Sequence, residues 1–118
     1  MLQEKIERYL LHFKGAEGSY PFGPEALVYK VMGKMFALVS QAEEVPRVTL
    51  KCLPEDGAML IGQYLSVTPG YYMNKKHWIS ISLDGELPET LLYQLADDSY
   101  HLVVSKLSKK DKAALEGI

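Results

Sequence analysis

The residue types that most often carry out chemistry are few in this chain, and they are scattered. The histidines His12, His77 and His101 form no HxH, HxxxH or HExxH motif, so their spacing does not predict a metal site. Cys52 is the only cysteine, which excludes an internal disulfide, and a lone strand cysteine usually behaves as a small buried hydrophobe. The acidic pair at 97–98 is better explained as a helix cap than as a catalytic dyad. We therefore expect a protein that is not an enzyme and that needs no cofactor or metal.

Basic side chains are concentrated in the middle of the chain, where they could bind phosphate groups. The net charge of −2 argues against a strongly electrostatic nucleic-acid binder. Residues 30–83, however, hold six basic residues against four acidic ones. Phosphates require fixed cations, and neighbouring amide and aromatic groups add hydrogen bonds and stacking. The candidate nucleic-acid-binding residues are Lys30, Lys34, Arg47, Lys51, Asn74, Lys75, Lys76, His77 and Trp78.

Each of these assignments has a plainer alternative. Lysines at turns and on strand faces are commonly solvated groups that bind no ligand. Strand alternation places Trp78 on the same face as Ser80 and Ser82. On that face, its side chain either packs beneath a helix or loop or is an exposed anchor. His77 falls on the opposite face with Ile79, as a residue at the edge of the core. The chain has only two arginines, and arginine–guanine contacts are the commonest sequence-specific ones, so the pattern favours non-specific backbone contact.

A second function class is a small protein- or ligand-binding module that uses the Tyr/Trp surface around residues 71–78. Four aromatic residues lie in stretches rich in glycine and proline, where such side chains are often exposed anchors: Tyr20, Phe22, Tyr71 and Tyr72. The alternative is that they cover the ends of a sheet. The partner is therefore predicted to be DNA, with a protein partner as the second possibility.

Hydrophobic periodicity predicts the elements that position these residues. Apolar residues recur with helical spacing from Leu2 to Phe13, and the glycine- and proline-rich residues 15–24 are predicted to form a loop. Met32-Gly33-Lys34 is typical of a hairpin turn. The later elements are strands at 26–31, 35–39, 47–52 and 77–83, a helix from Pro54, a helical stretch at 86–107 and a short polar C-terminal helix. The stretch at 86–107 is either one kinked helix or two helices with Asp98 or Ser99 as a cap.

The order of these elements predicts the fold class. Strands joined by short turns, with helices at both ends, indicate an α+β fold whose antiparallel sheet carries helices packed on one face. Residues 1–118 are expected to form a single domain. The charged N-terminal segment does not resemble a signal peptide, and no apolar run approaches the roughly 18–20 residues that span a membrane. We expect a cytoplasmic monomer with no membrane contact.

Four segments, in matching order and spacing, resemble the MmcQ/YjbR family of small bacterial proteins. They are YKVMGKMFAL (29–38), VTLKCLPE (48–55), TPGYYMNKKHWISISLDGELPE (68–89) and DDSYHLVVSKL (97–107). The NKKHW segment after PGYY is the most specific of them. The resemblance implies a fold similar to that of the frataxin-like CyaY proteins. It also implies a DNA-binding role through a double-wing arrangement of β-hairpins.

Overall fold

The structure, a computed structural model, describes residues 2–41, 44–70 and 74–118, and these contain four helices and six strands. The helices are α1 (Leu2–Leu11), α2 (Pro54–Gln63), α3 (Glu89–Ser105) and α4 (Lys109–Glu116). The strands are β1 (Ala16–Ser19), β2 (Ala26–Val31), β3 (Lys34–Ser40), β4 (Arg47–Lys51), β5 (Val67–Pro69) and β6 (Trp78–Ser82). None of the described helices combines the length and the apolarity that a membrane span needs.

The six strands form one antiparallel sheet in the order β1-β2-β3-β4-β6-β5. Residues paired directly across antiparallel strands lie on the same face. One face consists of apolar side chains: Tyr29, Ala37, Val39, Val48, Leu50, Ile79 and Ile81. They share a single hydrophobic core with residues from all four helices: Ile6, Leu60, Leu92 and Leu115. The predicted α+β class, with helices on one face of an antiparallel sheet, is therefore confirmed.

The second face of the sheet is largely polar, and the prediction that Trp78 shares it with Ser80 is confirmed. Thr49 pairs with Ser80, and their side-chain oxygens form a hydrogen bond of 2.9 Å. The same register places Lys51 opposite Trp78 at one end of this face. Alternation alone identified these residues correctly, because a strand sends successive side chains to opposite faces.

The β2–β3 hairpin is also confirmed, and a β-bulge beside it shapes the core. Met32 and Gly33 both have positive φ, at 49° and 79°, as a two-residue type I′ turn requires. Tyr29 pairs with Ala37, but the next residue, Lys30, pairs with Met35, so Phe36 is an extra residue in β3. Phe36 is fully buried, and its ring packs against those of Phe13 and Tyr100, at centroid distances of 5.8 and 5.3 Å.

Hydrogen bonds from tyrosine hydroxyls join α1 and the segment after it to the rest of the fold. Tyr9 donates to the Asp97 carboxylate at 2.8 Å, and this hydrogen bond, together with burial, raises the pKa of Tyr9 to about 12. Tyr29 donates to the carbonyl of Glu7 at 3.2 Å. Tyr100 donates to a carbonyl just beyond α1, at 2.5 Å.

The structure differs from the sequence prediction at several elements. Residues 15–24 contain β1, which pairs with β2, and residues 67–69 form β5, a strand that the sequence did not reveal. Both are short edge strands, so long-range pairing rather than local pattern creates them. The helical stretch predicted at 86–107 is one helix rather than two, because α3 runs unbroken through Asp97-Asp98 and neither Asp98 nor Ser99 is a cap. His77 is not part of a strand; it lies in the turn before β6.

Candidate nucleic-acid interface

Strand register gathers most of the predicted cationic residues at one end of the sheet. β2 ends, β3 begins, β4 ends and β6 begins at this end, because neighbouring strands run antiparallel. The turn before β6 adds two exposed lysines, and one more follows the last turn of α3. We call this the basic end. Its cationic residues are Lys30, Lys34, Lys51, Lys75, Lys76 and Lys106.

Asn74 shapes the turn that presents Lys75 and Lys76. Its side-chain oxygen accepts the backbone N–H of Lys76 at 3.0 Å, and its carbonyl accepts the N–H of His77 at 3.0 Å. An asparagine that bonds the backbone two residues on forms an Asx-turn. The His77 carbonyl then accepts the N–H of Cys52 at 2.9 Å, which fixes the turn to the end of β4. Asn74 and His77, both predicted to contact nucleic acid, thus position the lysine pair through backbone hydrogen bonds.

Strands β3 and β4 separate at the basic end, and Ser99 of α3 inserts between them. Their ladder ends at the pair Ala37–Leu50. Beyond it, the Ser99 hydroxyl accepts the N–H of Lys51 at 2.8 Å and donates to the carbonyl of Phe36 at 2.5 Å. Ser99 is completely buried, so this hydroxyl satisfies two strand groups that would otherwise lack partners.

The separation of the strands opens a cleft, and we call it the lysine cleft. It has a volume of about 370 Å³ and is lined by Lys34, Met35, Lys51, Trp78, Val103 and Lys106. Three of these side chains are cationic, and the other three form an apolar and aromatic wall. They come from β3, β4, β6, the last turn of α3 and the residue that follows it, so only the folded chain assembles them.

Trp78 is half-buried in this cleft, and its ring and its backbone are contacted by different residues. The Nζ of Lys51 lies 5.9 Å from the centroid of its ring, within the range of a cation–π interaction. Gly70 contacts the backbone, since its N–H donates to the Trp78 carbonyl at 3.0 Å. A Cβ at Gly70 would lie only 2.8 Å from the Trp78 Cβ. Glycine at this position therefore allows the close approach that seats the tryptophan.

Gly70→Ala is accordingly expected to displace Trp78. The added methyl group cannot be accommodated at 2.8 Å without moving β6 or the end of β5. The emission of Trp78, the only tryptophan in the chain, should shift to longer wavelength as the ring becomes more exposed. Gly62→Ala is the matched control, because nothing lies within 4 Å of a Cβ built there. An unchanged spectrum in Gly70→Ala would contradict this account of how the ring is held.

Charge is distributed unevenly between the two ends of the sheet. The end opposite the basic end carries exposed acidic residues: Glu25, Glu44, Asp84, Glu86 and Glu89. The basic end is not free of acids. Glu17 is paired with Lys30 across β1 and β2, and Glu55 and Asp56 occupy the first turn of α2. The net charge of −2 thus conceals a local concentration of lysines around the lysine cleft.

Arg47 is the one predicted cationic residue that lies away from the others. It begins β4 and is paired with Ser82, at the end of the sheet opposite Lys51. The other arginine, Arg8, lies on α1 one turn after Lys5, which forms an ion pair with Glu89 at the end opposite the basic end. Neither arginine is therefore positioned at the basic end.

A second cavity, of about 400 Å³, lies on the α2 side of Lys51. Its floor includes the core residues Leu50 and Ile79, and Cys52 also lines it. Burial, with a smaller contribution from Asp56, raises the pKa of the Cys52 thiol, which therefore stays neutral and weakly nucleophilic. No three His, Cys, Asp or Glu side chains within 2–41, 44–70 and 74–118 are grouped closely enough to hold a metal. The expectation that the protein is not an enzyme stays a prediction.

Sequence reasoning missed four residues of this region. Ser99 is predicted only as a candidate helix cap, and Lys106 lies outside residues 30–83, where the basic side chains are concentrated. Met35 and Val103 fall within a predicted strand and a predicted helical stretch. Lys106 follows the C-terminal turn of α3, where a cation is favoured by the helix dipole, so the helix end itself was an available signal. Tyr71 and Tyr72 lie outside the described residues.

Comparison with known proteins identifies the family. The family model YjbR matches residues 11–102. This chain belongs to the YjbR family. The protein YbdF of Escherichia coli O157:H7 is 43% identical over 111 residues, which cover 94% of this chain and 91% of that protein. YjbR of E. coli strain K12 is 35% identical over 115 residues, or 98% of each chain. The family assignment made from sequence is confirmed.

Solved structures of similar chains share the architecture of this YjbR-family protein. The crystal structure of Deinococcus radiodurans protein DR2400 matches with a TM-score of 0.86 and 34% identity, covering 96% of this chain and 86% of that one. A crystal structure from Pseudomonas syringae matches with a TM-score of 0.75 and 25% identity, covering 86% and 98%. The sheet and its helices are thus a shared framework, and the fold alone does not determine the function.

Proposed function

We propose that this YjbR-family protein binds DNA without sequence specificity, by contacting backbone phosphates with the lysines of the basic end. The observation that carries the proposal is the convergence there of five predicted lysines with Lys106, drawn from separate elements. Lysine ammonium groups placed on a rigid frame neutralise phosphates and so position a protein on a nucleic acid. In this proposal the protein performs no catalysis, needs no cofactor and acts as a cytoplasmic monomer.

The placement of the arginines supports a non-specific mode. Bidentate arginine–guanine contacts are the commonest sequence-specific ones, and both arginines lie away from the basic end. Lysine acts as a mobile point charge and suits phosphate better than base edges. The hairpin between β2 and β3 and the turn at 74–77 flank the lysine cleft. These two projections are the parts of the fold that would correspond to wings.

The second function class requires an aromatic surface that binds a protein or a ligand. Within the described residues, the exposed aromatic side chains do not form one continuous surface. Tyr20 and Phe22 are exposed but follow β1, at the end of the sheet opposite Trp78. The aromatic loops therefore do not combine with Trp78 into one patch. Interaction with a protein partner stays a prediction.

The test is a titration of the whole protein against a fluorescently labelled DNA duplex at several salt concentrations. If four to six lysines neutralise phosphates, log K should fall with log salt with a slope of about −4 to −5. Affinity should then drop by roughly 10²–10³ between about 50 and 200 mM salt, because the release of bound counterions gains less entropy when the surrounding salt is more concentrated. No binding of duplex or of single strands at about 50 mM salt would overturn the proposal.

A further inference from the structure

The lysine cleft is lined by apolar and aromatic side chains that a phosphate site does not require. A phosphate group needs only cations and hydrogen-bond donors, which the ammonium groups of Lys34, Lys51 and Lys106 supply. The remaining lining side chains are Met35, Val103 and Trp78, which offer only an indole N–H donor and a weakly accepting thioether sulfur. An occupant that matches this lining carries both an anionic group and a flat apolar ring. A nucleotide unit has these two parts.

The size of the cleft limits what can enter it. Its volume of about 370 Å³ lies near the lower end of the range for small-molecule sites, about 300–1,000 Å³. A group of the size of one nucleotide fits this space, whereas a duplex cannot enter it. The bases of a duplex are stacked and paired inside the helix, so an intact duplex offers such a cleft only its phosphates and sugars.

Lys51 lies close to both the cationic and the aromatic side chains of the lysine cleft. Its Nζ lies 5.9 Å from the centroid of the Trp78 ring, and its side chain also lines the cleft. A phosphate held by Lys51 therefore lies next to the aromatic ring. In a single strand the base attached to that phosphate is free to turn onto the ring, and base–aromatic stacking contributes about 1–3 kcal/mol per base.

We propose that the lysine cleft takes one unpaired nucleotide, and that the protein consequently prefers single-stranded DNA to duplex DNA. The base lies against Trp78 and the apolar wall, and the adjoining phosphate lies between the lysines. This inference rests on the proposed DNA binding and deepens it by naming the form of DNA. A free mononucleotide offers the same chemistry, so the test has to separate the two sources.

The experiment uses Trp78 as its own reporter, because it is the only tryptophan in the chain. The protein is titrated with a thymidine oligonucleotide of about 12 nucleotides, a length within the range bound by single-strand-binding modules. Parallel titrations use the duplex of that oligonucleotide with its complement, and thymidine monophosphate. We expect quenching of Trp78 emission by the single strand, affinity at least about 10-fold tighter than for the duplex, and weak binding of the mononucleotide.

Variants at position 78 separate stacking from charge. Trp78→Ala should weaken single-strand binding by about 5- to 150-fold, while Trp78→Phe, which keeps a stacking surface, should retain most of it. Trp78→Ala should weaken single-strand binding by a larger factor than duplex binding, and thermal unfolding shows whether each variant is folded. The binding of these variants is followed with a label on the DNA.

The outcomes are distinct. Equal affinity for both forms without a change in Trp78 emission would overturn the single-strand inference and leave non-specific DNA binding in place. Tight binding of thymidine monophosphate, equal to that of the oligonucleotide, would show a free-nucleotide site and would also overturn it. If neither form of DNA binds, the proposed function falls, and the inference falls with it.

Discussion

Replacing Lys34 and Lys106 together by glutamate is expected to weaken DNA binding by about 100-fold at roughly 0.1 M salt. Each phosphate contact made by a lysine contributes a factor of about ten at this salt concentration, through the release of bound counterions. The double variant removes two such contacts, and its new carboxylates repel the backbone. Both side chains are exposed, so the variant should still fold, with a loss of about 0.3–1 kcal/mol in stability because glutamate at position 106 opposes the dipole of α3. Fluorescence anisotropy measures the affinity, and the salt slope should become shallower by about two.

The matched control reverses two exposed basic residues far from the lysine cleft, Lys5→Glu with Arg8→Glu. Lys5 forms an ion pair of 3.3 Å with Glu89 at the start of α3, whereas Lys106 follows the end of that 17-residue helix. The helix alone spans about 25 Å. Both double variants change the net charge from −2 to −6, so the overall repulsion of DNA changes equally. If the control loses as much affinity as the cleft variant, total charge rather than the basic end controls binding.

The parts of the fold that depend on local pattern were predictable from sequence. Alternation in WISIS placed Trp78 on the polar face and Ile79 in the core, and Met32-Gly33 predicted the hairpin turn. Pro54, a residue type that suits the first turn of a helix, located the first residue of α2 correctly. These features depend on residues close in sequence, so a single chain displays them directly.

The parts that depend on register and on packing between distant elements were not predictable. Nothing near Lys106 shows that α3 ends beside Lys34, and nothing near Arg47 shows that it lies at the opposite end of its strand from the other cations. The edge strand β1 exists only because it pairs with β2. Ser99 has the residue type of a cap, and only the separation of β3 from β4 gives its hydroxyl two other partners.

Ser99→Ala is expected to destabilise the protein by about 2–4 kcal/mol. The substitution leaves the N–H of Lys51 and the carbonyl of Phe36 without the hydroxyl that satisfies both. A buried backbone group without a partner costs about 1–3 kcal/mol. The loss is a large part of the 5–15 kcal/mol by which domains are usually stable. Chemical denaturation followed by Trp78 fluorescence measures it, with an unchanged dependence on denaturant concentration expected.

Ser105→Ala is the control for this variant, because it removes the same atom from the same helix. The Ser105 hydroxyl is exposed and bonds only a carbonyl of its own helix, Leu102, at 2.7 Å, so its loss should change stability by less than about 0.5 kcal/mol. A Ser99→Ala variant as stable as Ser105→Ala would show that the two strands do not need the bridging hydroxyl.

If Ser99→Ala is destabilised but still folded, its DNA affinity tests a further point. The hydroxyl holds the backbone of Lys51 at the edge of the lysine cleft, so weaker binding by the folded variant would link the packing of α3 to the function of the basic end.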